Sequence, residues 1–171
     1  MEKNMMEIRL SLHDIQEEID RYNYYVGNSR REAGIPIKLA ATLHTSADDK
    51  KQIESHMATA IGEIVQMMNR YFSDTRQTTG EDENNDGYRI VILTYRPPHN
   101  LPKETNRLLK ELFARYTVMR SVQLWMQQVK PDESVIAATE AEKIALQIHQ
   151  AMTARIKPRN KRKRPDTRVE I

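Results

Sequence analysis

The sequence predicts a mainly α-helical fold, a bundle of four principal helices with a small two-stranded β element and an extended basic C-terminal arm. Three observations lead to this fold class. Apolar residues recur at helical spacing in four long segments. Glycine and proline are scarce, with 5 Gly and 7 Pro in 171 residues. Basic side chains crowd together after the last helical segment, where no core can use them.

The helical spacing predicts four helices that each bury one face. Two capping boxes, Ser11 with Asp14 and Ser46 with Asp49, start the first two helices, and Asp132 is the expected N-cap of the fourth. The third helix is expected over residues 100–129. The four apolar faces comprise Leu12, Ile15, Ile19, Tyr22 and Val26; Ile53, Met57, Ile61, Ile64, Val65, Met68, Tyr71 and Phe72; Leu108, Leu109, Leu112, Phe113, Tyr116, Met119, Val122, Met126 and Val129; and Val135, Ala138, Ala141, Ile144, Ala145, Ile148, Ala151 and Met152.

Two other segments predict the β element. Residues 6–12 alternate apolar and polar side chains, which is typical of a half-buried strand. Residues 88–96 combine β-branched and aromatic side chains and predict a covered strand that pairs with the first. The first helix is expected to end at Gly27, before an ordered loop over residues 28–45. The polar, acidic residues 73–87 predict a mobile loop.

The charge of the chain is unevenly distributed. Residues 155–171 hold eight basic and two acidic side chains, a charge of +6, whereas residues 1–154 hold 19 basic and 22 acidic side chains, a charge of −3. Because Pro158 and Pro165 interrupt the tail, the fourth helix cannot continue into it. We therefore expect a single helical domain over residues 1–154 and a basic arm over residues 155–171. The candidate contact residues of the arm are Arg155, Lys157, Arg159, Lys161, Arg162, Lys163 and Arg164.

The basic composition of the arm leaves four interpretations open. The arm could bind nucleic-acid phosphates through counterion release, dock on an acidic protein surface, act as a nuclear-localisation-like cluster, or be a solvated chain end. No short helix carries Arg, Asn and Gln on one face, so the sequence does not predict base-specific DNA recognition. Any nucleic-acid contact is expected to be with the backbone.

The residue patterns of common catalytic sites do not occur in the sequence. The chain has no cysteine, and its five glycines form neither a Gly-x-Ser-x-Gly turn nor a phosphate-binding loop. No run of residues approaches the ~18 apolar positions of a membrane span. The sequence therefore predicts a non-enzymatic protein with no cofactor and no membrane partner.

Metal sites are not predicted either. Asp82, Asn84, Asp86 and Gly87 match the start of a calcium-binding EF-hand loop, but Leu93 stands where that loop needs its bidentate acid, which favours a solvated turn. His13 and Asp14 would form half of a metal-phosphohydrolase dyad, but no second His-Asp set accompanies them. Trp125 lies at the edge of the third apolar face, which favours core packing and leaves contact with a partner open.

The C-terminal half carries a resemblance to a known family. From Leu101 to Pro165 the chain has a helix with "YTVMRSVQLW" in its second half, a Pro-Asp break, an alanine-rich helix and a final "ARIKPR" with a basic end. This order of elements resembles the small helical head-tail connector proteins of tailed bacteriophages and prophages, also called head-completion or neck adaptor proteins. These proteins form a ring beneath the portal.

The resemblance implies a function in virion assembly. It implies a structural protein of the virion neck, made in the cytoplasm of the host, that forms a homo-oligomeric ring between portal and tail proteins around the path of the DNA. An acidic loop at 73–87 and a basic arm at 155–168 carry opposite charges, which suits head-to-tail contact between identical subunits. The alternative is a cytoplasmic nucleic-acid-binding accessory protein whose arm contacts the DNA backbone without sequence specificity.

Overall fold

A computed structural model describes residues 5–32, 47–81 and 88–155, with the backbone alone described for residues 27–32 and 47–48. These residues are mainly helical and form four helices and three strands. In chain order the elements are β1 (Met6–Ser11), α1 (Leu12–Glu32), α2 (Ala47–Asn69), β2 (Ser73–Glu81), β3 (Arg89–Arg96), α3 (Thr105–Val129) and α4 (Pro131–Thr153). The prediction of a mainly α fold with four principal helices is confirmed. The basic arm beyond Arg155 lies outside the described residues.

The β element has three strands, so the prediction of two was wrong. The sheet is antiparallel in the order β1-β3-β2, and Leu93 in the centre of β3 faces Ile8 of β1 and Gln77 of β2. Strand β2 occupies most of the segment predicted as a mobile loop. Its side chains are mostly exposed and show no apolar alternation, so the sequence pattern does not reveal it. Backbone pairing with the edge of β3 forms this strand.

Strand β2 begins with an irregular stretch. Asp74 has a φ of 54°, and the register with β3 shifts between Ser73 and Arg76. An aspartate tolerates this left-handed conformation better than most residues. The Asp74 carboxylate also lies 3.0 Å from the Arg96 guanidinium at the end of β3. This bulge brings the chain from the end of α2 into the sheet.

The core lies between one face of the sheet and the helices. α2 and α3 pack against each other, α3 lies against β1, and α4 covers α3. The largest completely buried side chains come from the sheet and from α1, α2 and α3; they are Ile8, Leu10, Ile19, Ile53, Ile61, Ile64, Met68, Leu93, Tyr95, Leu109 and Phe113. Burial of such side chains contributes about 1.5 to 3 kcal/mol each to the transfer free energy.

The ends of the helices agree only partly with prediction. The Asp14 N–H donates to the Ser11 side-chain oxygen at 3.2 Å, as expected for an N-cap. The α1 helix continues through Gly27 to Glu32, because a helical glycine costs only about 1 kcal/mol relative to alanine. α4 begins at Pro131, which needs no N–H partner in the first turn, so Asp132 is not the N-cap. Ser46 and most of the predicted loop 28–45 lie outside the described residues.

Two predictions about burial on α3 and α4 were wrong. Val135 is 63% exposed and Leu108 is 47% exposed, although both were assigned to apolar faces. The favoured prediction of core packing for Trp125 is confirmed, since this side chain is only 4% exposed. The face of α4 turned towards α3 carries Ser134, Ala137, Ala141, Ile144, Ile148, Ala151 and Met152. Val135 lies next to this face rather than on it.

Small side chains bring α4 close to α3. Ala137 and Ala141 are buried on the contacting face of α4, and this pair of helices makes the most extensive contact among the described elements.

Within the described ranges, no helix is both long and apolar enough to cross a bilayer.

Candidate interaction surfaces

Arg155 is the one predicted arm residue within the described part of the chain. It is exposed, and its Nη1 donates to the backbone oxygens of Met152 and Ala154 at 2.7 Å each. Carbonyls in the last turn of a helix have no intrahelical partner, so a basic side chain there satisfies them. Arg155 thus helps to end α4. The other predicted contact residues, Lys157, Arg159, Lys161, Arg162, Lys163 and Arg164, lie outside the described residues.

The predicted acidic loop is divided by the structure. Ser73–Glu81 forms β2, and the remaining residues 82–87 lie outside the described part of the chain. The predicted contact between the acidic loop and the basic arm is therefore limited to the acidic side chains that follow β2 in the sequence, and it stays a prediction. The EF-hand-like residues Asp82, Asn84, Asp86 and Gly87 also lie outside the described residues, so the solvated turn expected there stays a prediction.

A partly buried charge network joins α2 to α3. Arg120 donates from Nε and Nη2 to the two carboxylate oxygens of Glu63 at 3.0 and 2.7 Å, and the Tyr116 hydroxyl donates to Glu63 at 2.7 Å. The Glu63 and Arg120 side chains are 28% and 26% exposed. This geometry is a bidentate, charge-assisted pair with a third donor. It fixes the two helices relative to each other.

The titration of this network follows from its contacts. Burial raises the pKa of Glu63, but the hydrogen bonds from Arg120 and Tyr116 and the charge of Arg120 outweigh it, so the net pKa is lowered. Burial and the hydrogen bond to Glu63 raise the pKa of Tyr116. The hydrogen bond to Glu63 raises the pKa of Arg120 against the effect of burial. Perturbed groups often mark active sites, but here a helix contact accounts for all three.

A second polar contact joins the start of α3 to β1. The Tyr95 hydroxyl donates to Asn106 Oδ1 at 2.9 Å, and Asn106 Nδ2 donates to the Glu7 backbone oxygen at 3.2 Å. Tyr95 is completely buried, and burial raises its pKa to about 12. Asn106 therefore joins the first turn of α3 to the edge strand β1. Without this hydrogen bond, the Glu7 backbone oxygen would need a water molecule as its donor.

A basic depression of about 450 Å³ lies beside this contact. Four cations line it, namely Arg9 from β1, Lys103 just before α3, and Arg107 and Lys110 from the first turns of α3; the other lining residues are Glu7, Ile8 and Asn106. We call these four cations the basic surface. Arg9 pairs with Glu7, and Arg107 lies 3.2 Å from Glu111. In the described ranges, Lys103 and Lys110 have no ion-pair partner.

An apolar groove of about 440 Å³ runs between α1 and α3. Ile15 and Tyr22 line it from α1, and Val118 and Met119 line it from α3, with Tyr25 at its edge. Arg115 of α3 and Glu140 of α4 lie 3.5 Å apart beside it. We call this feature the α1-α3 groove.

The electrostatics of Tyr22 show which part of α4 faces the groove. Burial, followed by the charges of Glu133 and Glu140, raises the pKa of Tyr22. Ile136 lies about one turn from each of these carboxylates on α4. Ile136 is 61% exposed and Tyr25 is 64% exposed. Tyr25 therefore offers a large exposed apolar side chain at the groove, and Ile136 offers another on α4.

A larger cleft of about 600 Å³ lies between the start of α1, the first half of α2, the second half of β2 and the start of β3. The ring of His13 stacks on that of Tyr88 with centroids 4.0 Å apart, and His13 Nε2 lies 3.4 Å from Glu17. No group of three or more His, Asp or Glu side chains that could hold a metal ion occurs in residues 5–32, 47–81 and 88–155. Asp14 serves α1 as part of its cap.

Comparisons with protein-family models, with curated proteins and with solved structures found no match for this chain. The resemblance to head-tail connectors therefore rests on the sequence segments that carry it. The structure adds surfaces that the sequence did not reveal. The basic surface combines residues of β1 with residues at and just before the start of α3 that are about 100 positions apart, and no sequence pattern indicated it.

Proposed function

We propose that this protein is a structural, non-enzymatic component of the neck of a tailed phage or prophage particle, a head-tail connector that forms a ring between portal and tail. One observation of the structure carries the assembly part of this proposal. Tyr25 lies exposed at the edge of an apolar groove, and Ile136 is a second large apolar side chain exposed on α4, on a body whose surface is otherwise rich in charge.

The exposed apolar residues suit a subunit interface. Single exposed apolar side chains are ordinary, but a groove flanked by several of them marks an interaction site. Tyrosine is enriched at such interfaces because it combines a large apolar ring with a polar end. Arg115 and Glu140 beside the groove supply the polar rim that a specific contact needs.

The charge distribution suits a repeated contact between copies. The arm carries +6 and residues 1–154 carry −3, so the arm of one subunit complements the body of the next. A contact between two different surfaces of identical subunits closes into a ring when its rotation permits. The groove and the arm together provide two different surfaces for such a contact.

The perturbed ionisable groups favour a structural protein. Glu63, Tyr116 and Arg120 neutralise and bond one another, and the Tyr95 hydroxyl is bonded to Asn106. A catalytic base or nucleophile needs an open face towards a substrate. The hydrogen bonds of these groups instead join α3 to α2 and to β3.

Assembly of the full chain tests the interface. Light scattering after size exclusion, with negative-stain microscopy, is expected to show rings that Tyr25→Ser with Ile136→Ser abolishes. Leu146→Ser is the matched control, since Leu146 is 59% exposed on α4 and lies about 15 Å further along the helix. Equal assembly by the double variant and the wild type would contradict the proposed interface.

A second experiment tests the arm. A chain ending at Arg155 keeps the side chain that caps α4 but lacks the remaining cations. The proposal expects this chain to assemble less well than the full chain. If it assembles equally well, the arm has no role in the ring. A cytoplasmic DNA-binding accessory protein would instead lose DNA affinity on this truncation, and would show no rings at any concentration.

A further inference from the structure

The basic surface concentrates positive charge on an acidic body. Residues 1–154 have a net charge of −3, yet the depression at the start of α3 is lined by four basic side chains and one acidic side chain. Neighbouring cations repel one another, so such a cluster costs free energy unless anions compensate it. Two of its members, Lys103 and Lys110, have no ion-pair partner among the described residues.

The pairs made by the other two cations are weak. The Arg107 side chain is 88% exposed and its partner Glu111 is 60% exposed. Arg9 and Glu7 are 59% and 41% exposed. Exposed ion pairs contribute about 0 to 1 kcal/mol, so a stronger anion can displace the Glu111 carboxylate from Arg107. Lys103, Arg107 and Lys110 are therefore accessible to a ligand of high negative charge.

The frame that holds these cations is rigid. Asn106 bonds Tyr95 on one side and the Glu7 backbone on the other, and it lies between Lys103 and Arg107 in the sequence. The side chains thus extend from a fixed helix start and a fixed strand. A surface that is ordered before binding loses less entropy when a ligand arrives.

The spacing and the polarity of the surface favour a nucleic-acid backbone over a protein. Arg107 and Lys110 are three residues apart on one side of the first turns of α3, and Lys103 lies just before the helix. Phosphates follow one another along a nucleic-acid strand, so several cations on one surface can each contact a phosphate. Only Ile8 among the lining residues is apolar, whereas protein interfaces have an apolar centre.

We propose that the basic surface formed by Arg9, Lys103, Arg107 and Lys110 binds the phosphodiester backbone of nucleic acid without sequence specificity. This site lies on the folded body and is separate from the C-terminal arm. It goes beyond the proposed assembly function and does not depend on it, since binding to a short duplex is measured on the chain whether or not rings form.

The test compares two double variants of the full chain with a 30-base-pair duplex as probe. Lys103→Gln with Lys110→Gln removes two cations from the basic surface. Lys50→Gln with Lys143→Gln removes two exposed helical cations elsewhere and changes the net charge equally. The arm is present in both variants, so its contribution cancels. Fluorescence anisotropy between 50 and 200 mM salt measures the affinity, and circular dichroism verifies the fold.

The proposal makes a quantitative forecast for each variant. Removal of two phosphate contacts is expected to reduce the slope of log affinity against log salt by about 1.8 and to lower the affinity at 0.1 M salt by on the order of 10-fold or more. The Lys50 and Lys143 variant should stay within about 2-fold of the wild type. Lys103→Arg with Lys110→Arg should retain binding, because the charges remain.

Three results would overturn the proposal. The first is an equal loss of affinity in both double variants, which would assign binding to net charge or to the arm. The second is unchanged affinity in the Lys103 and Lys110 variant. The third is binding of poly-glutamate, lost only in that variant, without salt-dependent binding of the duplex. This last outcome would identify an acidic protein surface as the partner.

Discussion

Two regions of α3 use the same kind of residue for different purposes. In the middle of the helix, Arg120 directs its guanidinium at Glu63 of α2 and is about a quarter exposed. At the start of the helix, Lys110 is exposed without an ion-pair partner in the described residues, as is Lys103 just before the helix. The sequence presents both as basic residues of one helix. Their surroundings make the first a part of the fold and leave the second for a ligand.

The two regions differ because burial determines whether a charge needs a partner. A partly buried charge loses hydration free energy, and only pairing and hydrogen bonding compensate for that loss. An exposed charge stays hydrated and needs no partner for stability. Substitutions in the middle of α3 should therefore change stability, and substitutions at its start should change binding.

The largest effect is expected for Glu63→Ala. This change leaves the Arg120 guanidinium and the Tyr116 hydroxyl partly buried without their acceptor. We expect the free energy of unfolding to fall by about 2 to 3 kcal/mol. Urea denaturation followed by circular dichroism measures it. Glu111→Ala, which removes a carboxylate from an exposed pair of the same helix, is the control. If both variants lose the same free energy, burial does not separate the two regions.

A smaller effect is expected for Asn106→Ala. The substitution removes the acceptor of the buried Tyr95 hydroxyl and the donor to the Glu7 carbonyl. The free energy of unfolding should fall by about 1 to 2 kcal/mol. Duplex affinity should fall as well, because the frame of the basic surface loosens. Gln127→Ala, an exposed amide near the end of α3, is the control for both measurements. A stable variant with normal affinity would show that the frame is unnecessary.

The dependence of stability on pH should reveal the lowered pKa of Glu63. A depressed carboxyl pKa contributes stability above the unfolded-state value of 4.5, and this contribution is lost as the pH falls through the folded-state value. The difference in stability between wild type and Glu63→Gln should therefore be constant near pH 7 and shrink below about pH 4.5. Thermal melts from pH 7 to pH 3 measure it. A difference that grows towards acid pH would reverse the assigned direction.

The smallest effect on stability is expected for Arg107→Ala. The Arg107–Glu111 pair is highly exposed, so the melting temperature should change by no more than about 2 °C. The same variant should bind the duplex more weakly, with a salt slope smaller by about 0.9. Arg115→Ala on the same helix serves as the matched variant, since Arg115 forms a similar exposed pair outside the basic surface. Equal DNA affinities of the two variants would remove Arg107 from the site.

The helices were predictable from the sequence because their apolar residues repeat with the period of the helix. Ile53, Ile61 and Ile64 on α2 are completely or almost completely buried, as their spacing predicts. The exposed strand β2 was not predictable, since its formation depends on a free edge of β3 and not on its own side chains. Val135 shows a second limit. On an alanine-rich helix, neighbouring positions are equally suited to burial, so the sequence does not show which positions the facing helix will cover.

The candidate sites, like the fold, were only partly predictable from the sequence. The basic arm could be located from composition alone, but the role of Arg155 in ending α4 depends on where the helix stops. The basic surface needed the contact between β1 and α3, because Arg9 lies far from Lys103 in the chain. The α1-α3 groove likewise needed the packing of two helices that lie about 90 residues apart. No local sequence pattern encodes such a juxtaposition.

Periodicity, capping and charge are local properties, so the sequence specifies the number of helices, the Ser11 cap and the division between an acidic body and a basic arm. Which charges are paired depends on the packing of the helices. Arg120 and Lys110 are equivalent by composition, but only Arg120 faces a carboxylate on a neighbouring helix. The physical reason is that desolvation and pairing depend on the groups that folding brings together.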